Sequence, residues 1–248
     1  MTTITIANRK GGVGKTTIAV ALATNLAQKH KVLLIDLDSQ ANATESLAVD
    51  LQSGIFMWLG GELEPKIITL ESGLDLLPGN AKTERVNLIL SSEGDMAAIH
   101  RGLEPLNETY QYIIIDCPPS LSMLTRAAIY AADYVLCPTV PEYLSVAGVR
   151  QLVTLIAQLR KGLARPVKLL GIQPNKYDRR TNEHRANLKD MVKAYGAYGH
   201  NGGRVWPPLR QSIAIAEASA EGKPIWSGLT GKVLIEWEAM AERVMEYG

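Results

Sequence analysis

Short apolar runs rich in β-branched residues alternate along the chain with longer stretches of helical periodicity. The runs are ITIAN (4–8), KVLLID (31–36), LDLLPG (74–79), YIIIDCPP (112–119), DYVLCPT (133–139) and VKLLGIQPN (167–175). Near-continuous apolar runs are typical of parallel strands that are buried on both faces. Helices are predicted at 16–29 and at about 95–107, 121–131, 145–161, 181–195, 211–220 and 231–247. This alternation predicts an α/β fold, a doubly wound and mostly parallel sheet with helices on both faces.

The 248 residues show no internal repeat, low-complexity segment or linker, so we expect one domain over 1–248. The stretch GAYGHNGG (196–203) is expected to be the most flexible loop. No apolar run approaches the roughly 20 residues that a membrane span needs, and the start MTTITIANRKG does not resemble a signal peptide. Cys117 and Cys137 form no C-x-x-C pair, so the sequence predicts two free thiols in a cytosolic protein.

The formal net charge of +1 conceals an uneven distribution. Residues 1–149 hold 10 Lys and Arg against 16 Asp and Glu, whereas residues 150–232 hold 15 against 5. The excess of basic residues at 150–232 indicates a region that binds a polyanion. Solvated helix faces that happen to be basic explain the charge equally well.

The stretch NRKGGVGKTT (8–17) joins the first predicted strand to the first predicted helix. Glycines in this position let backbone N–H groups converge on an anion at the start of a helix. Lys15 is placed to reach the β- and γ-phosphates of a nucleotide, and the Thr16 hydroxyl to bind Mg²⁺. The standard loop, G-x-x-x-x-G-K-[ST], has a glycine where Arg9 stands here, and this chain adds a second lysine, Lys10.

Carboxylates follow two of the predicted strands. Asp116 ends the run YIIID, the place for a residue that holds a magnesium shell. Asp36 and Asp38 follow KVLLI in the same way. Asp36 by itself is better explained as a strand-end cap, and Asp38, further into the loop, is the better candidate for orienting a water molecule.

These motifs resemble the ParA/MinD family of ATPases and, within it, the short ParA (Soj-like) proteins that lack an amino-terminal helix-turn-helix domain. KGGVGKTT resembles the deviant Walker A motif of that family, and DLDSQANAT resembles its second motif. YIIIDCPPSLSMLTRAAIYAADYVLCPTVPEYLSVAGV resembles the Walker B region, and GIQPNKYDRRTNEHRANL and IAEASAEGKPI resemble later segments. The resemblance implies an ATPase that uses ATP and Mg²⁺ and hydrolyses ATP slowly without a partner.

The resemblance also implies a role for each site residue. Lys10 would cross to the ATP of a partner subunit, so that ATP binding and homodimer formation become one event. Lys15 would bind phosphates in its own subunit, Asp38 would position the attacking water, and Asp116 would hold Mg²⁺ through water. The remaining ATP-binding residues are Gly11, Gly12, Val13, Gly14, Thr16 (also a Mg²⁺ ligand), Thr17 (at the α-phosphate) and Asn175 (at the adenine). A turn-forming asparagine is the alternative for Asn175.

Members of this family differ in what their ATP-bound dimer holds. A MinD-like membrane-surface ATPase that regulates cell division or positioning is the alternative function. It would end in a basic helix that lies on anionic lipid, but the polar face of KVLIEWEAMAERVMEYG is mainly Glu, so no membrane partner is expected. An iron–sulfur carrier would need paired cysteines, which Cys117 and Cys137 do not provide.

Nonspecific double-stranded DNA is therefore the expected polyanion. The resemblance also implies a ParB-like or other adaptor that is bound to cargo and stimulates hydrolysis. The candidate DNA contacts are Lys176, Arg179, Arg180, Arg185, Arg210, Lys223 and Lys232. The expected localisation is the nucleoid.

Overall fold

The computed structural model describes residues 1–50, 54–59, 66–162, 166–199, 203–220 and 229–247. Its seven strands form one sheet in the order β3-β4-β2-β5-β1-β6-β7. All neighbouring strands are parallel except β3 and β4, which are antiparallel. The strands are β1 (Thr2–Ile6), β2 (Val32–Asp36), β3 (Ile68–Thr69), β4 (Asp75–Leu77), β5 (Tyr112–Asp116), β6 (Tyr134–Thr139) and β7 (Lys168–Pro174). The predicted mostly parallel sheet is confirmed.

The described helices cover both faces of this sheet. They are α1 (Lys15–Ala27), α2 (Asn42–Ser46), α3 (Gly54–Leu59), α4 (Thr83–Glu93), α5 (Ala98–Leu103), α6 (Met123–Ala131), α7 (Tyr143–Leu159), α8 (Asn182–Tyr195), α9 (Ile213–Ala220) and α10 (Gly231–Met245). Single 3₁₀ turns occupy Glu104–Leu106 and Arg160–Gly162.

Two hydrophobic cores follow from the alternation of side chains along the buried strands. In β5, Ile113 and Ile115 pack with α3 to α8, whereas Ile114 packs on the other face with α1 and α10. The carboxyl-terminal helix α10 buries Trp237 and Met240 in this second core. Its apolar side therefore packs against the protein, as the acidic polar face predicts.

Several elements differ from the sequence-based expectation. The fourth predicted strand, 112–119, ends at Asp116, since Pro118 and Pro119 have no N–H to donate to a neighbouring strand. The helix α4 was not expected, although it has two of its usual signals. Val86 and Leu90 are buried four residues apart, and the helix ends at Gly94 with a left-handed φ of 67°.

The predicted helix 95–107 is shorter than expected and is divided. Residues 98–103 form α5, and Pro105 then lies in the 3₁₀ turn. The short elements α2, α3 and β3 were not expected either. The loop at 196–203 extends beyond the described residues.

Candidate functional site

The candidate site lies where neighbouring parallel strands end together. The loop after β1 starts between β5 and β6: Ala7 N–H donates to the Leu136 carbonyl (3.1 Å), and Cys117 N–H donates to the Ile6 carbonyl (3.3 Å). The loop after β2 is tied to β5, because Leu37 N–H donates to the Asp116 carbonyl (2.9 Å). The sheet therefore brings the glycine loop and all three candidate carboxylates to one edge, where open α/β sheets bind ligands.

Two glycines give the loop at 8–17 its shape. Gly12 and Gly14 have φ values of 73° and 91°, in the left-handed region that disfavours other residues. A Cβ atom on Gly14 would lie 2.1 Å from Asn175 Nδ2. That amide donates to the Val13 carbonyl (3.0 Å), so the residue that follows β7 fixes the position of the glycine loop. Gly14 then caps the start of α1.

The loop forms one wall of a cavity of about 530 Å³. The other walls come from the loop after β2, from α2 and from the loop after β5. The lining residues are Gly11, Gly12, Gly14, Lys15, Thr16, Thr17, Asp38, Gln40, Asn42, Glu45, Ser46, Pro119 and Lys176. Most of the sequence-predicted site thus surrounds a single opening at the start of a helix of 13 residues.

The ammonium of Lys15 is buried inside this arrangement, with 6% of the residue exposed. It donates to the Lys10 carbonyl (3.2 Å). Burial lowers the pKa of Lys15, while the charges of Asp116 and Asp38 work in the opposite direction. A buried cation beside converging N–H groups is suited to an anionic ligand such as a phosphate chain.

Asp116 is fully buried, and neither of its carboxylate oxygens has a hydrogen-bond partner among the described residues. Burial raises the pKa of Asp116 well above its usual value, and the neighbouring Asp36 raises it further. The nearby Thr16 hydroxyl and Lys15 oppose this shift. Unsatisfied carboxylate oxygens close to a hydroxyl are the donors that Mg²⁺ prefers, so these residues fit that ion.

The other two carboxylates have distinct surroundings. Asp38 lines the cavity and accepts a hydrogen bond from Gln40 N–H (3.0 Å). Asp36 does not line the cavity, and it accepts from the N–H and the hydroxyl of Thr44 (2.9 and 2.7 Å). Burial raises the pKa of Asp36 to about 6, against these hydrogen bonds. The two residues therefore differ as the sequence suggests, with Asp38 at the cavity and Asp36 behind it.

Lys10 does not line the cavity. Its ammonium lies 2.6 Å from Glu142 Oε2, and about a third of the Lys10 side chain is exposed. The hydrogen bond from Lys10 lowers the pKa of Glu142. Glu142 directly precedes α7, and no motif in the sequence marks it as part of the site.

Three further predicted residues do not line the cavity but lie next to residues that do. Val13 is buried and presents its carbonyl to Asn175. Asn175 is 4% exposed, and its amide oxygen accepts from Lys176 N–H (2.9 Å). Asp116 lies beneath Lys15 and Thr16. The residues of α2 that line the opening, Asn42, Glu45 and Ser46, were missed because five residues give too little periodicity to reveal a helix.

The basic residues do not form one group. Lys176 belongs to the first cavity, where its ammonium donates to the Gly12 carbonyl (2.9 Å). Arg179, Arg180 and Arg210 line a second cavity of about 610 Å³. Arg185 bonds to the Arg179 carbonyl (2.9 Å), Lys232 is exposed at the start of α10, and Lys223 lies outside the described residues.

Two of the arginines in the second cavity are already paired within the chain. Arg180 Nη2 lies 2.9 Å from Asp178 Oδ2, and Arg210 Nη2 lies 2.6 Å from Glu236 Oε1. Any phosphate that binds there competes with these carboxylates.

The two cysteines are free thiols with no exposed surface. Burial raises the pKa of Cys137 to about 12 and that of Cys117 well above its usual value. Within the described ranges, no three His, Cys, Asp or Glu side chains are grouped to hold a metal ion. The same residues include no helix long and apolar enough to span a bilayer.

Known proteins are similar to this chain in sequence and in architecture. A family model described as an AAA domain (AAA_31) matches residues 1–169. The chromosome-partitioning ATPase Soj of Thermus thermophilus is 38% identical over 224 residues, covering 90% of this chain and 86% of Soj. The chromosome partitioning protein ParA of Caulobacter vibrioides is 34% identical over 233 residues, covering 90% of this chain and 85% of ParA.

Solved structures agree with these relatives. A variant of McdA from Cyanothece in complex with ATP has a TM-score of 0.89 at 25% identity, covering 99% of this chain and 96% of McdA. Cobyrinic acid a,c-diamide synthase of Mycobacterium smegmatis, with an ATP analogue and magnesium, has a TM-score of 0.84 at 30% identity, covering 100% and 95%. With its deviant Walker A sequence, the chain therefore belongs to the ParA/MinD family of ATPases, among the partition and positioning ATPases related to Soj and ParA.

Proposed function

We propose that this ATPase dimerises on Mg·ATP, binds DNA without sequence preference, and hydrolyses ATP slowly until a cargo-bound partner stimulates it. The observation that carries the proposal is the placement of the two loop lysines. Lys15 is buried in its own cavity, whereas the Lys10 ammonium is directed out of it, to Glu142. A second lysine outside its own phosphate site is suited to a site on another subunit.

In the proposed reaction the glycine loop and Lys15 hold the phosphate chain. Mg²⁺, when bound, would neutralise charge between the β- and γ-phosphates, and Thr16 and Asp116 would hold it, the latter through water. Thr17, the next residue of α1 at the cavity wall, would contact the α-phosphate. Asp38 would accept a hydrogen bond from the attacking water and orient it toward the γ-phosphate.

Asn175 is proposed to contact the adenine. Its amide carries two hydrogens, and the bond to the Val13 carbonyl uses one of them. The second is proposed to bond to a base held beside β7.

Lys10 is proposed to act on the nucleotide of the partner subunit. It would add positive charge where the transition state gains negative charge, as a trans-acting arginine finger does. Because each subunit supplies a lysine to the other, ATP binding would favour the dimer and the dimer would favour ATP binding.

DNA binding is proposed for the surface around the second cavity, which Arg179, Arg180 and Arg210 line, with Arg185 and Lys232 as further candidate contacts. Phosphate contacts by such side chains give affinity without base recognition, and that affinity falls with salt. A dimer would present two copies of this surface, which would make DNA binding depend on ATP. Lys223 remains a candidate contact, and Lys176, which bonds to the glycine loop, would respond to nucleotide.

The partner is proposed to be a ParB-like or other adaptor that carries the cargo. Soj and ParA are named for chromosome partitioning, which makes a chromosomal region one possible cargo. A plasmid or a protein assembly would be moved by the same cycle of ATP-dependent DNA binding and release. The proposal places the protein on the nucleoid.

Two variants test the assignment of the chemistry. Lys15→Ala should abolish nucleotide binding, because the phosphate chain loses its buried cation. Asp38→Ala should bind ATP with wild-type affinity and remain dimeric on DNA, because only water orientation is lost. A Glu104→Gln variant, altered in the 3₁₀ turn after α5, is the control. Normal hydrolysis by the Asp38 variant would show that another group orients the water.

A further inference from the structure

One buried carboxylate, that of Asp36, bonds to both ends of the loop that carries Asp38. Asp36 is the last residue of β2 and has no exposed surface. Its Oδ1 accepts from Asp38 N–H (3.1 Å), and its Oδ2 accepts from the N–H and the hydroxyl of Thr44 (2.9 and 2.7 Å). The start and the end of the segment 38–44 are therefore tied to the same side chain.

The loop between these two ties is strained. Ala41 has a φ of 52°, a left-handed conformation that costs an alanine roughly 1–2 kcal/mol. Ala41 N–H donates to the Asp38 carbonyl (2.9 Å), and Gln40 N–H donates to the Asp38 carboxylate (3.0 Å). Such a conformation persists only where the surroundings enforce it, and the contacts of Asp36 do so here.

The Thr44 hydroxyl also ties this loop to a third strand. It donates to Asp36 Oδ2 and accepts from Gly79 N–H (3.1 Å), at the end of β4. There is no room for another group at this junction, because a Cβ atom on Gly79 would lie 2.5 Å from the Asp36 carbonyl oxygen. Thr44 has no exposed surface, so its hydroxyl is shielded from bulk solvent.

We infer that Thr44 is a positioning residue for ATP hydrolysis, whose hydroxyl holds the Asp38 loop in the geometry that orients water. This inference rests on the proposed role of Asp38. Thr44 does not line the cavity, so its removal should leave nucleotide contacts in place. Losing the hydroxyl leaves Gly79 N–H unsatisfied and removes one of the two Thr44 bonds to Asp36. The Thr44 N–H then holds this end of the loop alone, so the loop is loosened there.

The test compares three variants in the full chain. Thr44→Val removes the hydroxyl and preserves the shape, and Thr44→Ser restores a hydroxyl. Thr5→Val is the matched control, because Thr5 is a buried threonine of β1 whose hydroxyl donates to the Ala128 carbonyl (3.0 Å), away from the loop. Each variant is measured for ATP affinity, for hydrolysis at saturating ATP, and for hydrogen exchange of the amides at 38–44.

Thr44→Val should hydrolyse ATP about 10-fold more slowly, which corresponds to about 1.4 kcal/mol of lost transition-state stabilisation. Its ATP affinity should stay within about 2-fold of wild type, and the amides at 38–44 should exchange faster. Thr44→Ser should restore hydrolysis to within about 3-fold. Thr5→Val should leave hydrolysis and the exchange of 38–44 unchanged, even if it is as destabilised as Thr44→Val.

Unchanged exchange of 38–44 in Thr44→Val would overturn the inference, whatever the activity. So would equal losses of hydrolysis in Thr44→Val and Thr5→Val, since these would reflect general destabilisation. The Asp38→Ala variant distinguishes a failure of the role inferred for Thr44 from a failure of the role proposed for Asp38. If Asp38→Ala is inactive and Thr44→Val is fully active, only the role of Thr44 is wrong. If Asp38→Ala hydrolyses normally, the proposed water-orienting role fails as well.

Discussion

Glu142 binds Lys10 through an ion pair of 2.6 Å, and so holds within the subunit the lysine proposed to act on a second subunit. The two side chains are 44% and 32% exposed. Pairs with this exposure contribute at most about 1 kcal/mol. The pair is thus strong enough to select a resting position for Lys10 and weak enough to be broken when another ATP is presented.

Breaking this pair should favour the dimer. Glu142→Gln is expected to tighten ATP-dependent dimerisation by about 2- to 5-fold, since the lysine no longer leaves a carboxylate behind. Lys10→Ala should bind ATP and fail to dimerise. Sedimentation with a non-hydrolysable ATP analogue measures both effects, with Glu104→Gln as the control. Weaker dimerisation of Glu142→Gln would show that Glu142 acts in the dimer rather than against it.

Gly14 should tolerate no side chain. Gly14→Ala combines a φ of 91° with a contact of 2.1 Å to Asn175, so the glycine loop must move and ATP affinity should fall at least about 100-fold. Gly73→Ala is the matched control, because its φ is 82° but nothing lies within 4 Å of the added methyl. It should lose about 1 kcal/mol of stability and keep wild-type ATP affinity. Equal ATP binding by the two variants would contradict the fit of loop and β7.

Arg210 should contribute to DNA binding, and Glu236 should oppose it. Arg210→Ala is expected to reduce the salt dependence of DNA binding, log K against log salt, by about 1 per subunit. Glu236→Gln, which releases the arginine from its internal partner, should strengthen binding at low salt. Arg101→Ala is the control, since Arg101 is an exposed arginine paired with Asp95 in the acidic part of the chain. An equal effect of Arg101→Ala would mean that net charge, not this surface, decides binding.

Asp75 should make stability depend on pH. Its burial tends to raise the pKa, but hydrogen bonds from Lys31, Thr69 and Tyr110 outweigh burial, and the net pKa of Asp75 is lowered. A lowered pKa means stability that is present above the unfolded value of about 3.9 and is lost as pH falls through the folded value.

Replacing Asp75 with Asn should therefore flatten the acid limb of the stability curve. Wild type should lose more free energy of unfolding than Asp75→Asn between about pH 5 and pH 3. The difference should be on the order of 1 kcal/mol, since the Lys31 partner is 45% exposed. Urea unfolding followed by circular dichroism measures it, and identical acid limbs would contradict the shift.

The sequence predicted the parts of the fold that repeat a strong local signal. The apolar runs that became β2, β5 and β6 sit where expected, because burial on both faces requires continuous hydrophobicity. Short elements such as α2 and β3 lacked such a signal. Five or two residues carry too little periodicity, and the end of β2 and the neighbouring strands impose their conformation.

The candidate site, like the fold, could be predicted only in part from the sequence. Gly14, Lys15 and Asp38 could be found because their spacing is a motif, and the structure places them around one cavity. Glu142 and Gly79 could not, because each meets the site only through tertiary contacts across many residues of sequence. Thr44 lies within the motif DLDSQANAT, but its bonds to Asp36 and Gly79 emerge only from the structure. The composition of residues 150–232 predicted a basic surface, but it did not predict which arginines form ion pairs within the chain. Their partners, Asp178 and Glu236, emerge only from the structure.

The coupling of nucleotide, dimer and DNA is measured by binding to nonspecific duplex DNA with ATP and with ADP, across a series of salt concentrations. We predict binding that requires ATP, weakens steeply with salt and disappears in Lys10→Ala. Anionic liposomes in the same series should show no binding. DNA binding that is equal with ATP and ADP, or unchanged in Lys10→Ala, would contradict the coupling of nucleotide, dimer and DNA. Binding to liposomes instead would contradict the choice of DNA as the surface on which this ATPase works.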